Sequence, residues 1–193
     1  MGVTEAVQGF PALPNVAVEL EALGTLFKSK TLLNDAFRIS ALESELRREP
    51  FTVLHIASHG EFSSDVKRTF LLTFDDKLTI DRLDQLIGLL KFRNEPLELL
   101  TLSACDTAAG DDRAALGLAG VAIKAGARSA VASLWNISDE VSSQLVADFY
   151  GELKDTAISR ANALRRAQLK VLSNPRFDHP GFWSPFLLIN NWL

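Results

Sequence analysis

Hydrophobic positions along the chain follow two periods in turn. Behind Asn15, a residue type that caps helices, apolar positions 16, 20, 23, 26 and 27 recur at helical spacing and predict a first helix over 16–27. Thr31–Leu33 is a short strand candidate. Asn34 or Asp35 caps a second helix running to about residue 48, and Pro50 stops it ahead of a buried strand over 51–57. The alternation continues: a β-rich run over 69–74, a helix over 79–90, a second buried strand over 97–103, and a helix over 114–125 stopped by Gly126. A strand over 129–135, amphipathic helices over 139–154 and 159–172, and a terminal strand over 185–190 complete it. Strands alternating with helices of this length predict an α/β fold whose mostly parallel sheet is covered on both faces.

Residues 1–12, with Gly2, Gly9 and Pro11, show no sustained period and read as a leader or truncated linker, so the domain is expected over 13–193. The chain has 193 residues, 47% of them apolar and 23% charged, as an ordinary globular protein does. Its net charge of −4 gives no electrostatic pull toward nucleic acid or an anionic membrane. One cysteine, Cys105, forms no internal disulfide, and the N-terminus lacks the basic and apolar regions of a secretory signal, so a cytoplasmic protein is expected. The 179–193 stretch, free of Asp, Glu, Lys and Arg, is broken by Pro180 and Pro185 and is too short to span a bilayer.

Ligands of such a sheet gather beyond the carboxyl ends of its parallel strands. There Ser58-His59-Gly60 follows one strand and Ser103-Ala104-Cys105-Asp106-Thr107 follows another. Neighbouring strands lie about 4.8 Å apart, so adjacent ones would bring imidazole and thiol together. A thiol with pKa near 8.5 needs such a base to become a nucleophile. His59 would be base and acid, and the N–H groups of Gly60 and Cys105 a two-donor oxyanion hole. The competing reading is that Cys105 is a small buried hydrophobe. His55, inside the strand, and His179, in the loop before the last strand, read as structural. No metal-ligand spacing, Gly-x-Gly-x-x-Gly or Walker-type loop is present, so no metal or cofactor is expected.

These two segments, with Gly126–Trp135 and Asp139, resemble the CHAT family of caspase-like cysteine proteases, related to separase and more remotely to caspases. The match runs from Leu13-Pro14-Asn15-Val16 and Glu19, through Leu54-His55-Ile56-Ala57, to Phe149-Tyr150, Ala163–Gln168 and His179–Phe186. The resemblance implies a three-layer α/β/α caspase-like fold and a thiol protease, a hydrolase of peptide bonds, working through a His59–Cys105 dyad without metal or cofactor. It further implies control by a helical-repeat module of the tetratricopeptide type or by a partner protein, hence a domain that is weakly active or latent alone.

Ser133–Glu140 should wall the pocket for the substrate residue before the cut. In separase-like enzymes a Trp-to-Asp loop of this form supplies a carboxylate for a basic residue, which gives Trp135 and Asp139 substrate-binding roles, with Asp106 and Glu61 as the carboxylates next in line. Equally, Ser138 could cap the following helix while Asp139 and Glu140 complement its dipole. The rival to an endopeptidase acting on a protein or peptide is a catalytically silent signalling or docking module of the same fold. A flavodoxin-like small-molecule binder lacks the phosphate loop it would need.

Overall fold

A computed structural model of the chain describes residues 1–61, 69–88, 90, 95–103, 123, 126–135 and 137–191. Its elements in order are α1 (Asn15–Leu26), a 3-10 turn (Asn34–Ala36), α2 (Ile39–Arg48), β1 (Val53–Ala57), β2 (Gly60–Glu61), β3 (Phe70–Leu72), β4 (Lys77–Thr79) and α3 (Ile80–Gly88). There follow β5 (Leu99–Ser103), β6 (Ser129–Ser133), α4 (Asp139–Glu152), α5 (Arg160–Leu172), α6 (Pro180–Trp183) and β7 (Phe186–Asn190). The main sheet has the order β1-β5-β6-β7. Its β1–β5 and β5–β6 pairs are parallel and only β7 runs antiparallel.

Side chains alternate between the faces of a strand, and here both faces are apolar. Leu54 and Ile56 of β1, Leu100 and Leu102 of β5, and Ala130 and Ala132 of β6 pack with α2 and α3. Ala57, Leu99 and Val131 pack on the other face with α1, α4 and α5. The result is the mixed α/β, three-layer arrangement expected of a caspase-like fold. Every residue of β5 and β6 is buried, which is why both read as continuous strands rather than as alternating ones.

Several local readings need correction. Of Thr31–Leu33 only Leu33 joins a ladder, in an isolated parallel bridge to Gly2. The second helix starts at Ile39, because Asn34 takes a positive φ of 49° and spends its side chain on Thr4, accepting the Thr4 N–H at 2.7 Å. Lys77–Thr79 belongs to a strand, and β2, β3 and β4 form a separate antiparallel sheet that no periodicity signals in strands of two or three residues. Apart from Ile123, the helix expected over 114–125 lies outside the described residues.

The opening residues pack along β1. Ala57 N–H donates to Met1 O at 2.9 Å and Val3 N–H to Ala57 O at 3.2 Å, while Gly2 N–H donates to Leu32 O at 2.9 Å. A Cβ on Gly2 would stand 2.6 Å from Ala57 O, so only glycine fits this approach. Among the described residues no helix is long and apolar enough to cross a membrane.

Candidate functional site

The carboxyl ends of β1 and β5 form the edge where the site is expected. The parallel register sets Ala57 opposite Ser103, and Ser58 N–H extends the ladder to Ser103 O at 3.3 Å. His59 and Cys105 each follow two residues beyond that matched pair. Cys105 and Asp106 themselves lie outside the described residues.

His59 is held firmly. It is only 6% exposed, its ring lies 5.1 Å from that of Phe10, and its backbone oxygen accepts from Leu72 N–H at 2.8 Å. The hydroxyl of Ser58 donates to Leu72 O at 2.7 Å, pinning the same turn to β3. Nε2 of His59 lies 2.8 Å from Pro11 O. A carbonyl has no hydrogen to give, so Nε2 carries the proton and, in the neutral ring, Nδ1 keeps the lone pair. The fixed tautomer leaves Nδ1 as the basic atom.

Gly60 is buried and sits opposite Leu71 in β2–β3. Because Leu72 N–H bonds to His59 O, the Gly60–Leu71 pair is of the non-hydrogen-bonded kind, and the Gly60 N–H turns away from β3. Glu61, half-buried, faces Phe70 in the same ladder.

β6 runs parallel beside β5, so Leu134 and Trp135 leave the same edge. Trp135 is 36% exposed, with its indole N–H donating to Gly181 O at 3.0 Å. Asp139 opens α4, and Ser138 before it makes no capping bond. The Asp139 carboxylate instead reaches across to α1. Its Oδ2 accepts both the backbone N–H of Asn15, at 2.8 Å, and the Asn15 side-chain N–H, at 2.9 Å. Asn15 therefore does not cap α1 itself; the cap comes from Asp139, which satisfies one of the helix's orphan N–H groups and complements its dipole. Oδ1 of Asp139 is buried and accepts no hydrogen bond among the described residues.

Beneath the edge lies a polar cluster that sequence reading did not find. Glu19 belongs to the inward stripe Val16, Glu19, Leu20, Leu23 of α1 and is 1% exposed. Ser103 Oγ donates to its Oε1 at 2.6 Å. The Nε2 of His55 lies 2.6 Å from the same oxygen, at an angle that gives no well-directed hydrogen bond. Burial pushes the His55 imidazole below its ordinary value of 6.5, against the pull of Glu19, so it is neutral at pH 7. Tyr150 donates to Thr101 Oγ1 at 2.8 Å, its hydroxyl raised in pKa by burial. A Glu inside an apolar helical stripe was the available signal. His179 is also structural: its Nδ1 accepts from Gly181 N–H at 3.1 Å and caps α6.

Comparison with curated proteins gives no match. The CHAT domain family, by contrast, matches residues 4–191, nearly the whole chain. With a parallel sheet between helical layers and a buried histidine at the carboxyl edge of β1, that match makes this chain a member of the CHAT family, a caspase-like, protease-related domain.

Proposed function

We propose that this domain is a cysteine endopeptidase in which Cys105 attacks the scissile carbonyl carbon and His59 takes the thiol proton. The observation that carries this reading is the parallel β1–β5 pairing, whose register brings His59 and Cys105 to the same distance beyond one edge in sequence. The Pro11 carbonyl supports it, since an acceptor on Nε2 leaves Nδ1 as base and stabilises the imidazolium once formed. His59 then returns its proton to the leaving amine, the N–H groups of Gly60 and Cys105 hold the oxyanion, and water hydrolyses the thioester.

The substrate residue before the cut is basic on this reading. Among the described residues Oδ1 of Asp139 has no hydrogen-bond donor while Oδ2 is held by Asn15, and a substrate guanidinium or ammonium reaching it would supply one. Trp135 would form a wall of that pocket, and a helical-repeat module or partner protein would raise a latent basal activity by population shift. A peptidyl acyloxymethyl ketone ending in Arg, followed by intact mass measurement, tests the dyad. The expected result is one adduct on Cys105, absent in His59→Ala. An unmodified wild-type chain, with and without a repeat partner, would instead support the silent docking module.

A further inference from the structure

We propose that Glu19 is a positioning residue. Its buried carboxylate accepts a hydrogen bond from Ser103 at the carboxyl end of β5 and lies 2.6 Å from His55 Nε2 on β1, and this double contact from α1 steadies the two paired strand ends that lead to Cys105 and His59. The proposal rests on the dyad reading above.

Three observations carry it. The first is the cost of the group. Glu19 occupies an apolar stripe in which a leucine would bury as well, and a carboxylate taken out of water is expensive unless its partners compensate. Stability alone favours an apolar residue there, whereas a carboxylate supplies direction, which apolar packing does not. The second is where that direction points. Ser103 is the last residue of β5 and the register partner of Ala57, so the 2.6 Å bond from its hydroxyl acts at the last matched pair of the β1–β5 ladder. The third is the state of the ladder at that point. The Ser58 N–H to Ser103 O bond is 3.3 Å, long against the usual 2.9–3.0 Å, so a side-chain contact at Ser103 adds to a long backbone bond. Glu19 reinforces it from α1, the helix whose N-terminus Asp139 holds.

The chain's single cysteine makes the test independent of any substrate. Iodoacetamide alkylation of Cys105 is followed against pH in wild type, His59→Ala, Glu19→Ala, Glu19→Gln and Ser103→Ala, with urea unfolding run in parallel. Imidazole assistance should make wild type react at least ~10-fold faster than His59→Ala at pH 6, where an unassisted thiol is nearly all protonated. Glu19→Ala and Ser103→Ala should both fall to the His59→Ala profile. Glu19→Gln keeps an oxygen for Ser103 and should stay within about threefold of wild type. A mere loss of stability would leave the pH profile unchanged and alter only the unfolding midpoint. If Glu19→Ala does not fold, Ser103→Ala, which removes one hydroxyl, decides the matter. A wild-type profile in Ser103→Ala, or failure of Glu19→Gln to rescue, overturns the positioning role. Identical profiles for wild type and His59→Ala overturn the dyad and the positioning role with it.

Discussion

Asp139 carries two loads that one substitution can separate. Its Oδ2 accepts two hydrogen bonds from Asn15 at the start of α1, and its Oδ1 is a buried acceptor with no donor among the described residues. Asp139→Ala removes both. Loss of the cap should destabilise the fold by about 0.5–2 kcal/mol, and loss of a charged hydrogen bond to substrate, worth roughly 1.5–3 kcal/mol, should lower kcat/KM for an Arg peptide by about 10- to 150-fold. Asp139→Asn keeps one oxygen for Asn15 and puts an NH2 group where Oδ1 stood. Its urea midpoint should therefore stay near that of wild type, while the Arg preference collapses because an amide donor faces a guanidinium donor. The assay is kcat/KM on paired fluorogenic peptides bearing Arg or a neutral isostere before the cut, beside urea unfolding followed by tryptophan fluorescence. An unchanged Arg-to-neutral ratio in Asp139→Asn, or cleavage after Asp, refutes the assignment and moves attention to Glu61 and Asp106.

Cys105→Ala and His59→Ala should each abolish peptidase activity without unfolding the domain, and the double variant should be no worse than either, since members of one catalytic unit are not additive. Because burial holds the His55 pKa down, the unfolded state binds more protons below about pH 6.5, and stability must fall as pH drops through that window. Subtracting the urea-stability curve of His55→Gln from that of wild type isolates this contribution, and a difference that does not vary with pH would show that His55 is not the titrating group. Phe37, wholly buried in the core with α2 and α3, should cost about 3–5 kcal/mol as Phe37→Ala, read as a shift in the urea midpoint with the m-value unchanged. A shift below 1 kcal/mol would mean that the cavity collapses.

Features that depend on neighbours along the chain were legible in the residue pattern. β1, β5, β6 and β7 lie where apolar runs predict them, and α4 and α5 lie within two residues of their periodic patterns. A buried strand or amphipathic helix repeats its signal several times over its length, and strands alternating with helices leave few topologies besides a covered parallel sheet. The remaining features arise from contacts between segments far apart in the chain. β2 and β4 are too short to carry a period and exist because β3 pairs with both. The cap of α1 comes from Asp139, 124 residues away, and the proton on His59 is directed by Pro11 O, 48 residues away. Glu19 reads on the helix as one polar interruption of an apolar stripe, and only the sheet packed beneath it supplies Ser103 and His55 as partners. Hydrogen-bond partners are chosen by distance in space, and where they stand far apart in sequence no local pattern of residue types records them.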